Sequence, residues 1–258
     1  MNRLICVDIY RMYNNKRFWL SAVAMIAMAI MFIVMQYTAM DYAVALDRVI
    51  FLPMSFYGVL TASLISLFIG DDFSDGVIRN KLVAGRSRSS VYMSNMLVGW
   101  MASLSIYLLM VAVTTGIGIC LFENNVTYGD YMSFLFLGLF TCLAYGRIFS
   151  MLSMLSGNKA SSVMICMGLA FFMLFLCLHT NQVLVQQEYK NGILNPHYVS
   201  GGKRIVYEIL HDINPTGQAA QMSDMNYLDR VRWISCDLFW MVVAAGVGNI
   251  VFQKKDIR

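Results

Sequence analysis

The sequence contains few charged residues for its length. Only 13% of its 258 residues are charged, while 59% are hydrophobic. Soluble domains typically contain about 25% charged and about 45–50% apolar residues. The shortage of charge excludes an ordinary soluble domain and predicts a protein that folds within lipid.

The sequence also lacks the common patterns of catalytic and metal sites. Its six cysteines form no C-x-x-C pair and its three histidines lack ligand spacing, so neither a zinc site nor a disulfide framework is indicated, although a single bridge among Cys120, Cys177 and Cys236 stays open. GRSRSS and GNKASS do not complete the G-x-x-x-x-G-K-[ST] phosphate-binding pattern, so ATP hydrolysis by that route is not expected. We predict no catalytic, cofactor-binding or metal-binding residue and no nucleic-acid partner for this chain.

Six long apolar runs dominate what is present. A run of about 18 or more apolar residues can cross a hydrocarbon core about 30 Å thick as a helix, which satisfies its backbone polar groups internally. The sequence therefore predicts an all-α integral membrane protein with one transmembrane domain over 1–258. The predicted spans are 18–38, 49–70, 91–122, 131–156, 161–180 and 233–252.

Basic residues are concentrated in alternate connections. They lie in the N-terminal arm, in 71–90 and in the C-terminal tail, which ends at Arg258, whereas the connections after runs one and three hold almost none. Because positively charged short loops stay in the cytoplasm, both termini and 71–90 are predicted to be cytoplasmic. The longer segment 181–232 is placed outside, since long translocated segments count little in this rule.

The N-terminal arm, 1–17, interleaves apolar and charged residues. This pattern predicts an interfacial helix on the cytoplasmic side of the membrane. The basic side chains of Arg3, Arg11 and Lys16 are expected at the anionic headgroups.

Two short helices are predicted within 181–232. Asn214 can cap the second of them, with Pro215 at its first position. We expect both helices to lie at the outer surface and the carboxylate of Asp212 to be solvated. One face of the first helix is apolar and contains Ile205, Val206, Ile209 and Leu210.

The segment 71–90 carries both signs of charge, unlike a purely basic lipid-binding loop, because its aspartates would be repelled by anionic lipid. It therefore looks suited to a protein partner. We expect a helix that starts at Asp71, with acidic residues at its N-terminal end and Arg79 and Lys81 towards its C-terminal end, which complements the helix dipole. Gly85 is expected to end this helix.

The order of residues in DDFSDGVIRNKLVAGRSRSSVYMSN resembles the cytoplasmic loop of permease subunits of ABC-2 type transporters. INPTGQAAQ before the last run and the closing GNIVFQKKDIR are similar to the same family. The resemblance implies an exporter subunit of a bacterial plasma (inner) membrane that pairs with a second permease copy or a similar permease. It also implies that two separate ATPase subunits bind the ATP and Mg. Antimicrobial peptides or other amphipathic compounds are the expected cargo.

The resemblance also assigns roles to individual residues. Asp72→Ala or Arg79→Ala is expected to lower transport-linked ATP hydrolysis while leaving the protein inserted and assembled. The expected outer helix or gate consists of Asn214, Pro215, Gly217 and Gln218. The expected ATPase-coupling residues are Asp71, Asp72, Phe73, Gly76, Arg79, Asn80, Lys81, Arg86 and Arg88.

Two charged residues lie inside the predicted spans. Arg147 occurs late in run four and Asp237 early in run six, and we expect both to extend to opposite membrane surfaces. Two alternatives stay open: a secondary transporter that needs no ATPase, for which few embedded ionisable groups or broken helices are evident, and an intramembrane enzyme.

Overall fold

The computed structural model describes residues 2–39, 45–123, 126–190, 193–196, 198–225 and 229–255. His197 and the tail residues 256–258, including Arg258, lie outside this part of the chain. Six spans in the described part are long and apolar enough to cross a membrane, as the six runs predict. They are Lys16–Thr38, Asp47–Ser74, Arg88–Leu121, Tyr128–Ser156, Lys159–Leu184 and Arg230–Lys254.

Helices account for most of the described chain. The longest, α6, has 34 residues and extends about 51 Å, well beyond a hydrocarbon core about 30 Å thick. The helices are α1 (Asn2–Tyr13), α2 (Lys16–Ala39), α3 (Asp47–Ile50), α4 (Met54–Ser74), α5 (Val77–Val83), α6 (Arg88–Leu121), α7 (Tyr128–Ser156), α8 (Lys159–Leu184), α9 (Gly202–Ile213), α10 (Pro215–Ser223) and α11 (Arg230–Lys254). Two short antiparallel strands, β1 (Tyr189–Lys190) and β2 (Ile193–Leu194), follow α8.

Polar residues set several helix boundaries. Ser87 and Asn158 cap α6 and α8 by accepting hydrogen bonds from the backbone N–H of Ser90 and Ser161. Gly157 ends α7 in the left-handed conformation, with φ of 84°. The turn between α7 and α8 is therefore determined by the residues at its own position, Gly157 and Asn158.

The second span and the segment after it differ from the prediction. The span is divided into α3 and α4 at Pro53, and α4 continues through Asp71 to Ser74. The expected start of a new helix at Asp71 is therefore wrong, because the preceding apolar helix simply extends through it. Gly76, with φ of 68°, provides the left-handed turn before α5.

Helix α7 is central and contacts α4, α6, α8, α10 and α11. Small residues let two of these helices approach closely. A Cβ on Gly146 would lie 2.7 Å from the Cα of Trp100, so glycine at 146 permits the crossing of α6 and α7. The hydroxyl of Tyr57 on α4 donates to the carbonyl of Ser103 on α6 at 2.5 Å. These contacts bind three spans into one bundle.

The two short helices after α8 occupy different environments. The predicted apolar face of α9 is largely exposed, including Ile205 and Val206, and is available to lipid. In contrast, α10 is buried among α4, α7, α8 and α9. The expectation that both helices lie at the outer surface is therefore wrong for α10, which enters the bundle.

Candidate functional site

Four charged side chains, two buried carboxylates and two partly buried cations, form a cluster at one end of the bundle. We call this the charged end and define it by Asp8, Arg11, Asp72 and Lys81. Arg11 donates to both carboxylate oxygens of Asp72, at 2.5 and 3.2 Å, in the paired geometry that favours arginine over lysine. Lys81 Nζ lies 2.7 Å from Asp8 Oδ1. Both carboxylates are almost inaccessible, with 1% of each side chain exposed.

The helical repeat of α1 explains how one partner reaches this site. Leu4, Asp8 and Met12 recur every four residues, lie on one buried face and place the Asp8 carboxylate against α6. There the hydroxyl of Ser94 donates to Asp8 Oδ2 at 2.8 Å. The N-terminal arm is helical, and its Asp8 points into the protein.

A second group of ion pairs surrounds Asp71 in the last turns of α4. Arg17 pairs with this carboxylate, and Lys159 Nζ lies 3.0 Å from its other oxygen. Acidic residues at a helix C-terminus are unfavourable for the helix dipole. Cations from α2 and α8 therefore offset both the dipole and the carboxylate charge of Asp71.

Electrostatics strengthen the cluster around Arg11. Burial alone would lower the pKa of this guanidinium, but the hydrogen bond and charge of Asp72, together with the charges of Asp8 and Asp75, raise the pKa above its usual value. Arg11 is charged at any physiological pH. The charged end is thus a permanent set of paired charges.

The predicted coupling residues divide into internal and exposed groups. Asp72 and Lys81 belong to the cluster, while Arg88 donates to the backbone carbonyl of Lys255 and so joins α6 to the end of α11. Phe73 is half-buried beneath the ammonium of Lys255, 5.0 Å from its ring centroid. Asp71 is half-buried in its pairs, and Gly76 provides the turn.

The remaining predicted residues are available at the surface. We define the α5 face as Arg79, Asn80, Val83 and Arg86, all of which are exposed. Val83 is 82% exposed, although it is apolar. The α5 face therefore offers two cations, an amide and an apolar side chain to solvent, directly above the buried cluster.

The predicted outer residues hold α10 inside the bundle. Asn214 caps α10 by accepting from the Thr216 backbone N–H at 3.1 Å, as predicted, and its amide donates to the Met173 carbonyl on α8 at 2.8 Å. Pro215 occupies the first turn of α10. Met173 lies about 16 Å along α8 from Leu184, the helix end nearest to α9. The cap thus anchors α10 well below that end.

A buried polar network continues from Gln218. The Gln218 amide donates to the Asp212 carbonyl at 2.8 Å, and its oxygen accepts from Thr141 Oγ1 at 3.0 Å. Thr141 also accepts from Trp233 Nε1 at 3.0 Å. Gln218 thereby connects α9, α7 and α11 around α10.

The polar contacts at the end of α9 were not expected from the sequence. Asp212 is fully buried, not solvated as expected, and pairs with Arg232 while Gln221 donates to it at 2.8 Å. Burial raises the pKa of Asp212, against the lowering effect of those two donors. Burial lowers the pKa of His211 to about 4, so its ring is neutral beside Thr180. One local feature of the sequence indicates the burial of Asp212. It is the helix break at Asn214-Pro215, which turns the chain inward directly after Asp212.

The two charges within the spans are also buried. Arg147 is 8% exposed and Asp237 is fully inaccessible. Neither reaches a surface, so the expectation that both extend to the membrane surfaces is wrong. The position of Arg147 and Asp237 in the sequence could not predict their burial, because the packing of α7 and α11 decides which face of each helix is buried.

A larger side chain at Gly217 should displace α10. A Cβ there would overlap the backbone carbonyl of His211, which cannot move without breaking the α9–α10 turn. We expect Gly217→Ala to lower the free energy of unfolding by about 1–3 kcal/mol, measured by thermal unfolding in detergent. Gly246→Ala is the control, because a Cβ at Gly246 meets no atom within 4 Å. Equal stability of the two variants would contradict the close packing of α10.

Within the described residues, no group of three histidine, cysteine or acidic side chains is arranged to hold a metal ion. All six cysteines are free, so the open disulfide is not formed. A scan against protein-family models and a search of curated proteins found no match for this chain.

Proposed function

We propose that the protein is the membrane-spanning subunit of an ATP-driven ABC-2 exporter and that the α5 face docks on a separate ATPase. The resemblance of 71–90 to such permeases motivates the proposal. The observation that carries it is the exposed α5 face, which stands on a buried set of ion pairs. Two ATPase subunits would supply the ATP and Mg, and a second permease copy would complete the translocation path in a plasma membrane.

The ion pairs would transmit a movement of the α5 face to neighbouring helices. Lys81 on α5 pairs with Asp8 on α1, and Arg11 on α1 pairs with Asp72 on α4. A partner that moves α5 would therefore also move α1 and α4. Helix α6 begins five residues after Val83, the end of α5, so the same displacement would enter the membrane along the length of α6. Movement of amphipathic cargo would follow from this change.

A secondary transporter is the second candidate, and one observation favours it. Transporters of that class use discontinuous helices and ionisable groups near mid-membrane. The inserted helix α10 and the buried Asp237 have this character. This candidate requires no ATPase, so dependence on a second polypeptide separates the two.

Purification from native membranes tests the main proposal. We expect a chain with a G-x-x-x-x-G-K-[ST] pattern to accompany this protein and to supply ATP hydrolysis. The combined change Arg79→Ala and Val83→Ala should weaken that association roughly 5–30-fold, because exposed arginine and apolar residues contribute about 1–2 kcal/mol at interfaces. Thermal stability should be unchanged, since both side chains are exposed.

Lys203→Ala is the matched control, because Lys203 is also exposed but lies on α9 at the opposite end of the bundle. It should leave the association intact. A purified protein that moves solute down an ion gradient without any ATPase would refute the main proposal in favour of the second candidate.

A further inference from the structure

A groove of about 400 Å³ lies between α1 and α5, next to the charged end. We call it the α1–α5 groove. The charged residues that line it are four cations and one carboxylate, namely Arg3, Arg11, Lys81, Arg86 and Asp8. The lining of the groove therefore carries a net positive charge.

Two of the four cations account for this excess of positive charge. Arg11 and Lys81 are already paired with buried carboxylates, so their charges are offset within the protein. Arg3 and Arg86 are exposed, and neither forms an ion pair in the part of the chain that the structure describes. Their guanidinium groups are free to bind an anion from outside the chain.

The groove also has apolar walls. Leu4 and Val7 line it from α1, and Val77 and Ala84 line it from α5. Val7 is 54% exposed, although it is apolar. Cations combined with exposed apolar side chains fit an amphipathic anion better than a small hydrated one, because the apolar walls gain only from an apolar partner.

Aromatic residues place the groove at the level of a membrane surface. Tyr10 is 70% exposed on α1, and Trp19 is 55% exposed near the start of α2. The Trp19 Nε1 donates to the carbonyl of Tyr13 at the end of α1 at 2.7 Å. Exposed tyrosine and tryptophan concentrate at the depth of lipid headgroups, so α1 and the groove beside it lie at that depth.

The aspartates of 71–90 do not exclude an anionic lipid from this groove. Asp72 is buried in its ion pair, and Asp71 is paired with Arg17 and Lys159. Asp75 is exposed but does not line the groove. The repulsion expected from the sequence is therefore largely cancelled by pairing within the protein.

We propose that the α1–α5 groove binds the headgroup of an anionic phospholipid from the adjoining leaflet. The phosphate lies between Arg3 and Arg86, because the planar guanidinium matches a phosphate with paired hydrogen bonds. The glycerol backbone and the first part of the acyl chains lie against Leu4 and Val7. The bound lipid would hold α1 and α5 together at the membrane surface.

The lipid site does not depend on the proposed docking of an ATPase. Arg79 and Val83 are four residues apart on α5, lie on a different flank from the lining residues and do not line the groove. Arg86 belongs to both surfaces, so the lipid site is tested on the purified chain without any partner.

Native mass spectrometry of the full chain purified in detergent tests the site. Phosphatidylglycerol and phosphatidylcholine with identical acyl chains are added, and the wild type should bind phosphatidylglycerol in preference. The combined change Arg3→Ala and Arg86→Ala should weaken phosphatidylglycerol binding roughly 10–30-fold and leave phosphatidylcholine binding unchanged. Excess inorganic phosphate should not displace the lipid, since free phosphate makes no contact with the apolar walls.

Arg79→Ala combined with Lys254→Ala is the matched control. It removes the same charge from exposed positions at the same end of the bundle, outside the groove, and should leave phosphatidylglycerol binding intact. Thermal stability should be unchanged in both double variants. Equal weakening by the two pairs, a wild type without preference for phosphatidylglycerol, or displacement by inorganic phosphate would overturn the proposal.

A photoreactive amino acid at position 7 identifies the occupant in native membranes. It should capture anionic phospholipid in excess of the share of that lipid in the membrane. With Arg3→Ala and Arg86→Ala in the same chain, capture should fall to that share. Capture of a polypeptide at position 7, whether a second copy of this chain or another protein, would overturn the proposal.

Discussion

Replacing Asp72 by alanine is expected to lower the free energy of unfolding by about 2–3 kcal/mol, because it leaves the half-buried guanidinium of Arg11 without its main partner and with Asp8 as its remaining carboxylate. The same change removes a carboxylate 3.8 Å from Lys81. Thermal unfolding in detergent measures this loss. The expectation from family resemblance was different, since it left the Asp72 variant inserted and assembled with only its coupling reduced.

Asp75→Ala provides the matched control. Asp75 lies three residues further along the same segment but is exposed, so its replacement should change stability by less than about 0.5 kcal/mol. If both alanine variants unfold at the same temperature, Asp72 does not act through a buried ion pair.

Replacing Arg232 by alanine should cause the second large loss of stability. It leaves the fully buried Asp212 with Gln221 as its remaining side-chain donor. Breaking a buried pair in this way should lower the free energy of unfolding by about 3–5 kcal/mol. Arg230→Ala, at an exposed position in the first turn of the same helix, should cost less than about 1 kcal/mol.

The Arg232 variant should also respond to pH. Loss of Arg232 removes an interaction that lowers the pKa of Asp212, so the pKa in the folded state rises further above its usual value. The folded protein then holds a proton that the unfolded chain releases, and stability falls as pH rises. The destabilisation relative to wild type should therefore be larger at about pH 8 than at about pH 5. The titration of His211 in the unfolded chain is common to both proteins and cancels in this difference.

Hydropathy along the chain was sufficient to predict the six spans, because a helix in lipid must be apolar over its whole length whatever its neighbours. Local capping chemistry was also readable. Asn214 followed by Pro215 predicted where α10 begins, and the structure confirms that boundary. These features depend on residues that are close together in sequence.

The charged end could not be predicted in the same way. Arg11 and Asp72 are 61 positions apart, and Asp8 and Lys81 are 73 positions apart. Their pairing depends on how α1, α4 and α5 meet, and charge pattern alone is equally compatible with a solvated segment. For that reason Asp72 was predicted at a partner surface, and the structure places it beneath the exposed α5 face.

The insertion of α10 was missed for a related reason. Its residues are small or polar, which is typical of a surface helix, but in the bundle Gln218 and Thr216 find partners on α7. Burial of polar groups is acceptable once they are hydrogen-bonded. Only the packed structure reveals which partners are present.

We propose that the α5 face contacts a separate ATPase. A photoreactive amino acid at position 83, which is 82% exposed, tests this directly in native membranes. The same probe at Tyr128, which is 75% exposed at the far end of α7, serves as the control. The probe at 83, but not the probe at 128, should capture a chain with an ATP-binding motif. Capture of lipid alone at position 83 would contradict it.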